Sequence, residues 1–513
     1  MSDRSSSGVP VEERRPGPRP IEGVGTSTAG FAGITERGPE YPCLTASWLE
    51  YQRWFGGGLS EAVSYLPHAA RGFFENGGRQ LYVARVVGAN AQFTSRHIGP
   101  LLVRAVGRGA WGNRIFVRIG PASRSAGADN PDWFQATLLY YSAMPPVPLV
   151  DPLSNEPGDR ANPDRREPDL VEQFDGLTHV SGVPNSVESV VNAASQLVNV
   201  SFDADPEPVP HEVPDFVPLG SDGFDGDPVE ETAYADSLAS LETVDDVALL
   251  AVPDEVRFAT PGSAGPVTAA VIAQCERRKD RFAIVSSASG LGDVSQLKPP
   301  RDTAWAAFYY PWIDVHDPAT GRAVRVPPTG HIAGVIARVD AERGVHKAPA
   351  NEELRGVTGL EFSITESTQD ALNPRGVNAI RDFRAAGRGI RVWGARTMSS
   401  DPDWKYVNVR RFLTFLETSI DKGTQWAVFE PNGESLWNNV RASISDFLLQ
   451  LWSTGALMGT RPEQAFFVKV DRTTMTQDDI DNGRMICIIG VAPLRPGEFV
   501  IVRIGQMTAS GDP

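Results

Sequence analysis

The side chains best suited to chemistry in this sequence do not fall at the spacings that chemistry needs. Seven histidines are spread along 513 residues. His316, His331 and His346 recur at intervals of fifteen, so none forms the one-turn pair of a zinc-binding HExxH helix. They read as structural or solvent-facing side chains. Asp246, Ser286 and His331 supply the residue types of a hydrolytic triad, but no GxSxG turn presents the serine and no flanking motif places the base beside it. Gly56, Gly57 and Gly58 follow a helical stretch instead of a strand, and no GxxxxGK[ST] occurs, so a phosphate cradle is not expected. Asp222, Asp225 and Asp227 in SDGFDGD could ligate calcium, yet no glutamate stands at the twelfth position counted from Asp222. Cys43, Cys275 and Cys487 are few, odd in number and far apart, which indicates reduced thiols and neither a disulfide framework nor a thiolate cluster. No catalytic, cofactor-binding or metal residue is assigned, and the chain does not read as an enzyme.

Composition narrows the classes further. An apolar fraction of 41%, with 11 Trp and 23 Phe, excludes a mostly disordered chain, and the length implies several domains. With 48 Lys+Arg against 64 Asp+Glu the net charge is −16, which argues against coating nucleic acid or anionic membrane. Arg14, Arg15 and Arg19 form a local basic exception without interleaved aromatics, and protein partners with acidic surfaces fit them better. The start MSDRSSSGVPVEERRPGPRP lacks an apolar signal core, and no stretch approaches the ~18–20 apolar residues of a membrane span. A protein made and folded in the cytoplasm, without membrane insertion, is expected.

The elements that would have to position any site form a discontinuous pattern. Residues 1–20 read as an arm. Residues 21–90 give a buried strand near Gly30 to Ile34, a helix capped by Ser47, a helix from Ala62 to Glu75 and the strand LYVARVV (81–87). That alternation resumes over 236–350 with VALLAV (247–252), a helix at 266–278, RFAIVSS (281–287), AAFYYPWIDV (306–315) and a helix through 331–344. The two stretches predict one doubly wound α/β domain. Residues 91–235 interrupt it with short strands, a Pro-rich loop and an acidic run of ten carboxylates between Asp203 and Glu231, and read as an outward-facing β-rich insertion. Residues 351–493 predict an α+β domain: IRVWGAR (390–396), a helix starting at Ser400-Asp401, a strand WAVFE (426–430), a helix with Leu436, Val440, Ile444 and Leu448 on one stripe, and strands AFFVKV (465–470) and MICIIGVAP (485–493).

Residues 494–513 form a second arm, whose strand EFVIVRIGQ (498–506) is apolar at both parities. Phe499 and Ile501 fall on one side, and Val500, Val502 and Ile504 on the other, so it wants cover on both faces. It follows a hinge at Pro493 and Pro496-Gly497, and the N-terminal arm carries its own short strand, Val9 to Glu13. Either both strands finish this chain's own sheet, or they are given to neighbouring copies by β-augmentation.

The tracts PRPIEGVGTSTAGFAGITERGP, GFFENGGRQLYVARVV, GHIAGVIARVDAERGVHKAPANEELRGVTGLEF, LNPRGVNAIRDFRAAGRGIRVWGARTMSSDPDWKYVNVRRFLTFLETSI, WAVFEPNGESLWNNVRASISDFLLQLWSTGALMGTRPEQAFFVKVD and IGVAPLRPGEFVIVRIGQ together resemble contractile tail sheath proteins of bacteriophages and phage-tail-like injection systems. The likeness covers about residues 18–90 and 240–510. It implies a homopolymer of stacked six-fold rings around an inner tube, with baseplate and tail-terminator or cap proteins as further partners, assembled in the cytoplasm and carried by a phage tail or phage-tail-like particle. It implies that the α/β domain is subtilisin-like in fold, without implying proteolysis. It also implies strand exchange: Val9, Val11 and Glu13 from one arm and Phe499, Val500, Ile501, Val502, Arg503 and Ile504 from the other would be received by a sheet containing Ile390, Val392, Trp393, Ile486, Ile488 and Val491. Pro10 stands where many relatives carry a donor-bearing residue, which removes one ladder hydrogen bond. An enzyme on the α/β domain and a static self-assembling surface or binding protein are the competing readings.

Overall fold

The computed structural model describes residues 19–123, 133–202, 212–259 and 265–498. The strands Val9 to Glu13 and Phe499 to Ile504 lie outside the described residues. Internal contacts divide the chain into two units. The larger takes residues 26–343 and 348–407; the smaller takes the residues up to Gly25, the link 344–347 and everything from Asn408 onward.

The larger unit is organised by a nine-stranded sheet. Its strands are β1 (Ala29–Gly33), β2 (Cys43–Thr45), β3 (Leu81–Arg85), β4 (Leu249–Ala251), β5 (Phe282–Ser286), β6 (Ala306–Tyr310), β7 (Glu352–Glu353), β8 (Val377–Asp382) and β9 (Ile390–Val392), in spatial order β7-β9-β8-β6-β5-β4-β1-β3-β2. The run from β8 to β3 is parallel throughout, and β2, β9 and β7 add antiparallel at the margins. Successive residues serve opposite faces. Phe31, Leu249, Ile284 and Tyr309 pack with helices α1 (Trp48–Phe55), α2 (Leu66–Glu75) and α5 (Thr329–Arg343), while Leu250, Val285 and Phe308 pack with α3 (Ala233–Glu242) and α4 (Pro266–Arg278). Helices on both faces explain why these strands are uninterrupted apolar runs. The α2–α5 contact is close because α5 meets α2 through glycines: a Cβ on Gly330 would lie 2.2 Å from the Ala69 carbonyl oxygen, and one on Gly334 would lie 2.4 Å from that of Phe73.

Helix ends in this unit follow local chemistry. Ser47 caps α1 by accepting from the Glu50 amide at 3.2 Å, as its position before the aromatic stripe predicts. Arg281, fully buried, donates to the carbonyls of Leu241 and Val244 at 2.9 Å and so satisfies the C-terminal end of α3.

Three readings change here. AAFYYPWIDV is not one strand: β6 stops at Tyr310, Pro311 offers no amide, and Ile313–Asp317 joins a separate three-stranded sheet with Arg322–Val326 and Val357–Leu360. The helix expected from Ser400-Asp401 begins at Val407, because Asp401 closes a turn onto the amides of Asp403 and Trp404, and Arg396 then bridges to Tyr406. Residues 351–407, placed by the sequence reading in the C-terminal domain, cluster with the larger unit.

Residues between Ser95 and Pro218 build two sheets over a core of their own. One sheet holds Ser95–Ile98, Leu101–Ala105 and Val198–Phe202; the other holds Ile115–Pro121, Phe134–Tyr140, Leu170–Leu177 and Val213–Pro218. The aspartates of SDGFDGD fix turns: Asp225 accepts from the Ala110 amide at 2.8 Å and Asp227 from Asn90 at 2.8 Å. Among the described residues no group of His, Cys, Asp and Glu could hold a metal, and no helix is long and apolar enough to cross a membrane.

In the smaller unit, α6 (Val407–Thr424) and α7 (Glu434–Ser453) bury Phe412 and Leu416 against Leu436, Val440, Ile444 and Leu448. The antiparallel pair β10 (Phe466–Lys469) and β11 (Ile488–Val491) covers part of this helical layer. WAVFE is not a strand. Gln425–Ala427 forms one 3₁₀ turn, and Phe429 takes φ 68°.

Candidate functional site

No catalytic constellation forms around the hydrolytic residue types. In the parallel sheet Leu249 sits beside Phe282, so Asp246 precedes the start of β4 while Ser286 ends β5. Four residues of strand alone separate those levels by roughly 13 Å, which puts aspartate and serine at opposite ends of the sheet. His331 is buried in α5, and burial pulls its imidazole down to about 3, too weak a base to take a serine proton.

The feature left open is a strand edge. β11 pairs with β10 on one side and with no strand on the other among the described residues. A two-stranded antiparallel sheet is marginal alone and gains most from further strands. The connection between the two strands is held by the short helix Gln477–Asp481, where Thr476 and Asp479 form a capping box and Arg484 pairs with Asp478 and Asp479.

Beside the free edge lies an apolar cleft of about 1040 Å³. Leu413, Leu416 and Ile420 of α6 form one wall, Leu436, Val440 and Ile444 of α7 the floor, and Met485, Cys487, Ile489 and Val491 the other wall. The last four alternate in sequence, so they are one face of the strand that ends in β11. Its opposite face puts Ile486 and Ile488 in solvent beside Phe467. Burial pushes the Cys487 thiol up to about 11, so it is a neutral group on the cleft wall. The charged side chains lining the cleft are all acidic: Glu417, Asp421 and Glu430. Glu417 is engaged by the buried Arg410 at 2.9 Å. Val428 and Phe429 stand on the rim, with Phe429 fully exposed. A strand laid along β11 would continue its ladder and drop alternate apolar side chains into the cleft, each worth about 1.5–3 kcal/mol when fully buried.

The expected receiving residues divide between two sheets. Ile486, Ile488 and Val491 line or flank the open edge. Ile390, Val392 and Trp393 do not join them: β9 is sandwiched between β7 and β8 in the other unit. The Ile390 and Val392 carbonyls accept from Leu354 and Asn351, and the Trp393 amide is spent on Ala379. With both sides paired, β9 has no edge to offer. The sequence reading missed the α6 wall and the Val428–Phe429 rim. The stripe Leu413, Leu416, Ile420 carried the first signal, and WAVFE concealed the second by looking like a strand.

The phage tail sheath protein central domain matches residues 227–398, and the phage tail sheath C-terminal domain matches residues 399–506, so that together they cover more than half of the chain. A putative prophage major tail sheath protein of Pseudomonas aeruginosa is 28% identical over 240 residues, 42% of this chain and 59% of that protein. The tail sheath protein of Burkholderia phage BcepMu is 31% identical over 189 residues, 34% of this chain and 38% of that protein. The chain thus aligns with less than two thirds of the length of these relatives. The anti-feeding prophage helical sheath in its contracted state superposes with a TM-score of 0.58 at 25% identity, over 98% of this chain and 100% of that one. With matches to both sheath domains and a like fold along almost its whole length, the chain belongs to the contractile tail sheath family.

Proposed function

We propose that this protein is the structural subunit of a contractile sheath, polymerising as stacked rings around an inner tube and contracting to drive that tube through a target envelope. The observation that carries the reading is the β11 edge, unpaired among the described residues, beside an apolar cleft, in a chain whose sequence carries short alternating apolar runs at 9–13 and 499–504. A subunit built this way is complete only in a polymer. Shared strands keep neighbours tethered while their larger units move, so contraction needs no nucleotide. A gain of even ~1–3 kcal/mol per subunit, summed over a cooperative tube, supplies the driving force. The parallel sheet with helices on both faces supports the doubly wound, subtilisin-like assignment of the α/β layer, whose role is structural and not proteolytic. Inner tube, baseplate and cap proteins are the partners this reading requires, with assembly in the cytoplasm and residues 91–235 facing outward.

Electron microscopy of purified full-length and truncated chains tests the reading. The full chain forms helical tubes, and chains lacking residues 1–20 or 495–513 stay folded and monomeric. Normal tubes from both truncations would refute strand sharing.

A further inference from the structure

Helices α2 and α5 meet at two histidines whose hydrogen bonding the fold leaves incomplete. His68 and His331 are 8% and 2% exposed, and neither Nε2 of the first nor Nδ1 of the second has a partner among the described residues. A buried polar atom without a partner costs free energy, so a pair of them side by side points to something that completes both. The rings are neighbours. A Cβ on Gly72 would lie 2.3 Å from His331 Nδ1, which sets that ring against α2 one turn beyond His68. Both histidines line one cleft of about 530 Å³ in the larger unit. Its remaining walls are fixed independently of the imidazoles: Asn76, fully buried at the end of α2, exchanges hydrogen bonds with the Arg355 backbone at 2.9 and 3.1 Å, and Arg71 donates to the His316 carbonyl at 3.2 Å. The charged side chains on the cleft are Arg71, Glu75 and Arg355. Glu75 is spent on Arg71 at 2.7 Å, whereas the Arg355 guanidinium is exposed with no ion pair or hydrogen bond among the described residues. The uncommitted charge is therefore positive.

We propose that this cleft binds a tetrahedral oxyanion of the phosphate and sulfate class, held by the Arg355 guanidinium and by His68 Nε2 and His331 Nδ1 as N–H donors. The site does not depend on the sheath reading. Either imidazole nitrogen becomes a donor when its ring takes the matching tautomer or gains a second proton, and an anion then supplies the acceptor that the protein does not. Donors from α2, α5 and the segment after Glu353 converge from different directions, which suits an anion with several oxygens better than a planar one. A metal ion is excluded by the donor set, since no group of His, Cys, Asp and Glu among the described residues could hold one. Burial holds both imidazoles below their ordinary value; the charges around His68 are Asp317, Glu61 and Arg71, and those around His331 are His68 and Arg71. A dianion set against Arg71 would favour the protonated rings, so its binding takes up protons and tightens as pH falls.

Equilibrium dialysis of the full-length chain against radiolabelled sulfate tests the site. Sulfate stays a dianion from pH 6 to 8, so any pH dependence belongs to the protein. The expected result is saturable binding of one sulfate per subunit, tightening about threefold from pH 8 to pH 6. Arg355→Glu, on an exposed segment where the fold should tolerate it, should weaken binding about tenfold. Arg322→Glu makes the same charge change at an exposed position that does not line the cleft, and should leave binding within about twofold. His68→Gln can donate but cannot titrate, and should flatten the pH dependence. Thermal melts establish that each variant is folded. Unlabelled inorganic phosphate and glycerol phosphate are then used as competitors: displacement of sulfate by either supports the site, and the one effective at lower concentration identifies a free anion or a phosphate ester as the source. Absence of saturable binding below about 20 mM overturns the proposal, as do equal losses in Arg355→Glu and Arg322→Glu. Binding that is lost in Arg355→Glu yet indifferent to pH and to His68→Gln overturns the imidazole donors.

Discussion

The amide of Val24 donates to the Ser419 hydroxyl at 3.0 Å across 395 positions of sequence, fixing the N-terminal segment onto α6. Ser419 is fully buried, Ile21 joins the same core at 7% exposure, and the Arg19 guanidinium lies over the Trp426 ring at 4.9 Å. The first described residues are therefore an integral part of the smaller unit.

That docking depends on the missing side chain of Gly423, where an added Cβ would approach Ile21 to 2.7 Å. Gly423→Val should expel Ile21 at a cost of about 1–3 kcal/mol. Limited proteolysis with a glutamyl endopeptidase reads the outcome as new cleavage after Glu22 before any loss of helix content by circular dichroism. Cleavage unchanged from the parent would mean that the segment is held by other contacts.

A second expectation concerns pH. Glu255, fully buried, accepts from the Ser286 amide at 3.0 Å, while its other oxygen has no partner. Burial raises its carboxyl from 4.5 to about 8, so near neutrality the folded chain holds a proton that the unfolded chain releases. Stability from this group is fully present below the unfolded value and is lost as pH rises through the folded one, on the order of a few kcal/mol across the window. Thermal melts from pH 5 to 9 should show Glu255→Gln matching the parent at the acid end and exceeding it at the alkaline end. A difference that does not grow with pH refutes the assignment.

The α2–α5 contact gives a sharper stability test. Gly334→Ala would press a methyl against the Phe73 backbone, which cannot yield as a flexible side chain could. A loss of roughly 2 kcal/mol or more in denaturant melts is expected. The same change at Gly158, which has nothing within 4 Å of an added Cβ, should be close to silent.

Thiol labelling gives the fourth expectation. Cys43 is buried with its thiol pushed up to about 12, Cys275 is buried and raised further, and Cys487 is half-exposed on the cleft wall. Maleimide should therefore modify Cys487 first in the free subunit, slowly at neutral pH because so little thiolate is present, and should fail to modify it in assembled tubes. Equal labelling before and after assembly would show that the cleft stays open.

These contrasts show which features were legible in the chain alone. The parallel sheet was readable because strands buried on both faces leave unbroken apolar runs, as at Leu249–Ala251 and Phe282–Ser286. Amphipathic helices such as Glu434–Ser453 declare themselves by period. Short apolar runs do not: WAVFE has the composition of a strand, yet Gly423 ahead of it and Pro431-Asn432-Gly433 behind it leave room only for a turn, which ends in an exposed Phe429. Pairing partners were equally hidden. Ile390–Val392 and Ile488–Val491 look alike in sequence, and only tertiary placement shows that one is sandwiched and the other is not. Ile486, Ile488 and Val491 were named from the sequence and lie on or next to β11, whereas the acidic cleft beside it was not foreseen.

The side of β11 that no strand covers among the described residues also carries a cost. A free ladder of amides and carbonyls accepts any extended chain, including the wrong segment of the right protein, and Phe467, Ile486 and Ile488 make that encounter adhesive. On the proposed sheath reading, ordered growth and clumping would draw on the same exposed edge, so the balance between them would depend on concentration.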